Sequence, residues 1–152
     1  LRQRIDYQLT NYRKHGHPAN EAWITVDKER IFSASCCEYM NAASALWYQE
    51  QITVTTFGPE GKRAEDILTS REAHDACDVV SSFRTYLDLD PQIALTSTDP
   101  ILRGLAMIDK RIGKRTLWAI ELSNDEHSLV RTLHSLRMSC RNKISKETLP
   151  KS

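Results

Sequence analysis

The sequence predicts a mainly α fold, a compact single-domain bundle of about six helices with a candidate small β-hairpin near residues 23–35. Three observations carry that prediction. Asp90-Pro91 and Asp99-Pro100 each join an N-capping carboxylate to a proline suited to the first helical position, and so read as two helix starts. Apolar residues recur at intervals of three and four along several segments. Thr69-x-x-Glu72 and Ser123-x-x-Glu126 have the form of capping boxes.

Taken in order, Leu1, Ile5, Leu9 and Tyr12 fall at helical spacing ahead of Gly16 and Pro18, which predicts an amphipathic helix over residues 1–14. Residues 23–35 set β-branched and aromatic side chains on either side of a polar Asp27-Lys28-Glu29 tip, the pattern of a hairpin whose turn lacks Gly or Asn. Helical periodicity returns from Cys37 to Gln51, with Cys36, Met40, Ala43 and Trp47 on one stripe and Tyr39 and Leu46 beside it. Gly58-Pro59-Glu60-Gly61 marks a loop, and any flexible segment is expected over residues 53–64. The Thr69 box should open a helix through Ala76, Val79, Val80, Phe83, Tyr86 and Leu87, ending near residue 88.

The first Asp-Pro step begins a short helix over Ile93, Ala94 and Leu95. The second begins a longer one through Ile101, Leu105, Ile108 and Ile112, with Gly113 as its stop. Gly104 inside that helix costs about 1 kcal/mol relative to Ala and so marks a close helix crossing. Leu117, Trp118, Ile120 and Leu122 fit a short helix or a buried strand, the helix being favoured. Leu129, Leu133, Leu136 and Cys140 give the stripe of a last long helix, followed by a frayed tail after about residue 143.

Composition narrows the function classes. With 152 residues, 40% hydrophobic and 27% charged, the chain has the size and balance of one globular domain, and five Gly and five Pro do not make a linker. No apolar run approaches the ~20 residues that span a bilayer, and no signal-peptide pattern occurs, so the expected partners do not include a membrane. Four cysteines without scaffold-like spacing, and the absence of an Asn-x-Ser/Thr acceptor, point to reduced thiols and a cytoplasmic location. That location is conditional, because the chain starts with Leu and leaves open a leader or address ahead of it.

The net charge of +1 divides unevenly. Residues 1–99 carry ten basic and fifteen acidic side chains, whereas residues 100–152 carry eleven basic and five acidic. Lys110, Arg111, Lys114 and Arg115 place four cations in six residues, a candidate polyanion-binding cluster that Arg131, Arg137, Arg141, Lys143 and Lys146 could extend. Cations near a helix C-terminus are also favoured by the helix dipole, and neither a nucleic-acid-binding motif nor interleaved aromatic residues accompany these.

Other chemistry is weaker in the sequence. Gly58 to Arg63 has two residues between its glycines and Arg after Lys62, which does not fit a phosphate loop. His74 and Cys77 lie one turn apart, and Cys36 with Cys37 could complete four zinc ligands, but adjacent cysteines seldom turn to one metal and the spacing does not favour it. Cys77 and Cys140 read as small apolar residues on helix stripes, and Cys36-Cys37 as the pair to watch for oxidation if exposed. His74 and Asp78 fit a helix contact, His15 and His17 a solvated loop, and His127 and His134 a surface. No catalytic residue, metal site or cofactor is therefore expected. Trp47 and Tyr48 are helix neighbours that point in different directions, so one exposed aromatic could serve a partner or a dimer. The leading expectation is a non-catalytic cytosolic interaction or regulatory domain that self-associates. A polyanion-binding accessory protein using the 110–115 cluster, and an enzyme with an unrecognised site, stand as alternatives.

Overall fold

The computed structural model describes residues 4–14, 17–50 and 63–144. Three strands, β1 (Ile5–Lys14), β2 (His17–Val26) and β3 (Glu29–Ser35), form an antiparallel sheet in the order β1-β2-β3. Seven helices follow among the described residues: α1 (Cys36–Glu50), α2 (Ala64–Ser70), α3 (Ala76–Asp88), α4 (Pro91–Ala94), α5 (Pro100–Ile108), α6 (Lys114–Trp118) and α7 (Ser128–Ile144). The protein is helix-rich, as expected, with a three-stranded sheet where the sequence suggested one hairpin. Contacts divide the described residues into two compact units, one covering Ile5–Ser81 and one beginning at Ser82.

In the N-terminal unit the predicted first helix is a strand. Ile5 and Leu9 are four residues apart, a spacing that a helix and a strand both satisfy, and Tyr7 between them decides for the strand. Ile5, Tyr7 and Leu9 pair with Val26, Ile24 and Ala22 on one face, and Ala22 and Ile24 pair in turn with Ala34 and Phe32. On that face Ile5, Ala22, Ile24, Phe32 and Ala34 are buried. On the opposite face the Arg30 guanidinium lies 4.6 Å from the Trp23 ring centroid, a cation–π contact.

The 23–35 hairpin is present. Its turn is Asp27-Lys28, with φ of 51° and 73°, so two residues with side chains hold the left-handed conformations of a two-residue hairpin loop that Asn-Gly adopts without strain.

α1 packs against β2, β3 and α2. Its buried side is rotated from the predicted stripe. Leu46 is buried with Ala64, Ile67 and Leu68, and Tyr39, Ala42, Ala43 and Ala73 pack around them, which leaves Met40 and Trp47 outside. The expected loop over 53–64 and its Gly-Pro segment lie outside the described residues, apart from Arg63 and Ala64 at the entry to α2. Thr69 sits inside α2 and Glu72 has a φ of 58°, so the Thr69 box does not start a helix. Asp75 starts α3 instead, its carboxylate accepting from the Cys77 N–H at 2.8 Å.

In the C-terminal unit both Asp-Pro steps cap as predicted. Asp90 accepts from the Gln92 N–H at 2.9 Å. Asp99 accepts from the Ile101 N–H at 2.7 Å and also from the Ser82 hydroxyl at 2.5 Å.

α5 stops at Ile108, short of the expected Ile112. Asp109 leaves the helical conformation and its side chain accepts from the Arg111 N–H at 2.7 Å, a local turn that competes with the next helical bond. Ile112 is buried in the connection, and Gly113 is the N-cap of α6 rather than the end of α5. α6 therefore covers Lys114–Trp118, and residues 119–122 are neither helix nor strand.

The Ser123 box likewise does not start α7, which begins with His127 Nδ1 accepting from the Leu129 N–H at 3.1 Å. Of its expected stripe Leu129 and Leu133 are fully buried and Leu136 nearly so, Val130 joins them, and the Cys140 side chain lies outside the described residues. α5 packs against α7, and a Cβ built on Gly104 would stand 3.1 Å from Leu133 Cδ1 and 3.4 Å from Leu129 Cγ, the predicted close crossing. The tail after Ile144 lies outside the described residues.

Candidate functional site

The densest chemistry among the described residues lies where two helices begin in the N-terminal unit. Cys36 is the first residue of α1, directly after β3, and Cys77 is the second residue of α3. Two contacts hold these starting points together, and a cap fixes the second of them. The Ser35 N–H donates to the His74 carbonyl at 3.0 Å, the Phe32 and His74 rings meet at 4.8 Å, and the Asp75 carboxylate caps α3. The left-handed Glu72 bends the chain between α2 and this cap.

The result brings Cys36 Sγ to 3.7 Å from Cys77 Sγ and 2.9 Å from Asp75 Oδ1. One ligating atom from each of Cys36, Asp75 and Cys77 lies within 4.8 Å of the others. Asn20, on β2, adds its amide, with Nδ2 3.7 Å from Cys77 Sγ. Its Oδ1 is buried and has no hydrogen-bond partner among the described residues.

Electrostatics keep the Cys36 thiol protonated when only these side chains surround it. Burial pushes the thiol up to about 12, and the hydrogen bond it donates to Asp75 and the neighbouring Cys77 push the same way. Cys36 is 8% exposed whereas Cys77 is open to solvent, so the pair has a buried and an accessible member.

The sequence analysis weighed Cys36, Cys37, His74 and Cys77 as a zinc set and did not favour it, and the structure groups different side chains. Cys37 is exposed on the next position of α1, the His74 ring lies against Phe32, and the carboxylate of Asp75 takes the third place. Asp75 and Asn20 were missed there. Asp75 had a legible signal, being an N-cap residue immediately before the Ala76–Tyr86 stripe, whereas Asn20 is brought in only by strand pairing.

The polyanion cluster is partly engaged. The Arg111 guanidinium pairs with Asp109 at 2.8 Å, and Tyr86 donates to the same carboxylate at 2.6 Å. These contacts, the Arg111 bonds first, hold the Asp109 carboxyl at about 2 against the opposing effect of burial, and the Tyr86 hydroxyl is driven well above its ordinary value by burial and by Asp109. Lys110, Lys114 and Arg115 are exposed. Arg131 donates to the Asn124 carbonyl at 3.0 Å, while the side chains of Arg141, Lys143 and Lys146 lie outside the described residues.

Both late histidines are half-buried and hydrogen-bonded rather than on an open surface, His127 at the α7 cap and His134 Nε2 at 3.1 Å from the Leu117 carbonyl oxygen. Arg103 pairs with Glu126 at 3.0 Å.

A second feature is an apolar stripe on the outside of α1. Met40, Trp47 and Tyr48 are 61%, 51% and 74% exposed, and with Ser44 they occupy one helix face. Trp47 and Tyr48 meet edge to face at 4.9 Å, so both aromatics lie outside where the sequence left room for one. Among the described residues, no helix is long and apolar enough to cross a membrane.

The sequence matches the model of the SF0329 protein family over residues 1–138. No curated protein and no solved structure matches the chain.

Proposed function

Since the chain belongs to the SF0329 protein family, whose description carries no activity, we propose from its own residues that it is a non-catalytic interaction protein that self-associates through the outer face of α1. The observation that carries this reading is the Met40, Ser44, Trp47 and Tyr48 stripe, two large aromatics and a flexible thioether on one exposed helix face. The face holds no charge, so a two-fold axis that lays it against a second copy opposes no like charges. An antiparallel pairing sets Met40 of one copy near the aromatics of the other, a contact that thioether sulfur favours.

The acidic and histidine side chains described above support the same reading. Asp90, Asp99 and His127 cap helices, and Asp109 is tied to Arg111 and Tyr86, so these groups are occupied in holding the backbone.

Size exclusion with light scattering tests the proposal. A dimer that persists at high salt and dissociates in a Trp47→Ser, Tyr48→Ser variant is expected, because apolar contact is not screened. A monomer across the concentration range overturns it, as does a salt-sensitive complex with a nucleic-acid duplex that requires Lys114 and Arg115.

A further inference from the structure

We propose that Cys36, Asp75 and Cys77 form a binding site for a thiophilic divalent cation of the zinc class, with the Asn20 amide oxygen as the fourth protein ligand.

The distance between the sulfurs is the first argument. Two thiolates each about 2.3 Å from a tetrahedral ion stand about 3.8 Å apart, and Cys36 Sγ and Cys77 Sγ are already separated by 3.7 Å. The Asp75 oxygen is 2.9 Å from Cys36 Sγ because a thiol proton lies between them. When the ion replaces that proton, the carboxylate moves back by roughly 0.7 Å to a carboxylate–metal distance of about 2.0–2.2 Å. Binding then releases the thiol protons of Cys36 and Cys77 to solvent, and no electron is transferred.

Asn20 supplies the second, independent observation. Its Oδ1 is buried without a partner while its Nδ2 faces a sulfur, an arrangement that leaves the acceptor unsatisfied. Turning the amide over exchanges the two atoms and presents the oxygen to the site, at about the distance that separates two ligands of one tetrahedral ion.

The surroundings suit the charge. Two thiolates and a carboxylate around a dication leave one net negative charge, and the N-termini of α1 and α3, of fifteen and thirteen residues, both begin at these ligands and direct their positive dipole ends there. The soft sulfur donors select zinc over magnesium or calcium. The same proximity allows the sulfurs to join in a disulfide under an external oxidant, which is why the test keeps the chain reduced.

The test uses the full chain, reduced and stripped of metal, titrated with zinc against a chromophoric chelator and with cobalt(II) as a spectroscopic probe. One equivalent should bind, cobalt should give thiolate charge-transfer absorption, and zinc should raise the melting temperature. Cys36→Ser and Cys77→Ser should each cut the charge-transfer absorption per bound cobalt to about half and weaken zinc by more than the 10–100-fold that follows loss of an outer partner. Asn20→Ala should weaken it by less than the loss of either thiolate, and Cys37→Ser should leave it unchanged. Cys77 is exposed at a helix start, so its serine variant keeps the fold, which circular dichroism checks. Absence of stoichiometric uptake overturns the proposal. So does a band left undiminished by Cys77→Ser or lost in Cys37→Ser, or a reduced chain whose Cys36 and Cys77 only oxidise to a disulfide while taking up no zinc.

Discussion

The two units differ in how far apart in sequence their interacting polar groups lie. In the C-terminal unit Asp90, Asp99, Asp109 and His127 each bond a backbone N–H two positions ahead, so each boundary or turn is written within three residues. In the N-terminal unit the thiol cluster joins Cys36 to Asp75 and Cys77 across 39 and 41 positions, and Asn20 to Cys77 across 57. Local bonding makes a helix start readable without knowledge of the fold. A site assembled from distant segments becomes visible only once the strands are paired.

If local caps set the C-terminal helices, the largest loss should come from Asp99, which serves two backbone donors and the buried Ser82 hydroxyl. Asp99→Ala should cost about 3 kcal/mol in urea denaturation, a cap plus a charged hydrogen bond, and a loss below about 1 kcal/mol would break the comparison. Gly104→Val asks whether packing between distant segments matters as much in the same unit. With Leu133 only 3.1 Å from a Cβ at that position, overpacking should cost about 2–3 kcal/mol by the same measurement.

Acid gives the next effect. Asp109 has its folded value lowered to about 2 from 3.8, so its contribution is complete above the unfolded value and is lost as pH falls through the folded one. The loss should be no more than about 2 kcal/mol between pH 5 and 2, since the Arg111 partner is exposed, and Asp109→Asn should remove this part of the pH dependence of the urea midpoint. The smallest effect is a gain. Lys28→Gly relieves a left-handed residue at the hairpin turn and should stabilise the protein by about 1 kcal/mol in thermal melts, provided its φ of 73° is held by strand pairing.

The same contrast explains what could be read from the sequence. The Asp-Pro starts, the α7 stripe and the Gly104 crossing depend on neighbours within one helix or on the absence of a side chain, and all three are present in the structure. The first strand was obscured because Ile5 and Leu9 satisfy two periods at once, and the α5 end because Asp109 bonds its own backbone where an apolar stripe appeared to continue. Of the thiol cluster, Cys36 and Cys77 were weighed together with Cys37 and His74, whereas the structure sets them beside Asp75 and Asn20. Spacing rules look for ligands close in sequence, whereas Asp75 came with a helix cap and Asn20 with a strand.

Gly104 bears on more than one helix. The crossing of α5 over α7 leaves room there for a hydrogen and little else, so positions 104 and 133 share one volume. A drifting sequence can enlarge residue 104 only as residue 133 shrinks, and the two should behave in a double-mutant cycle as a single inherited character rather than as two sites.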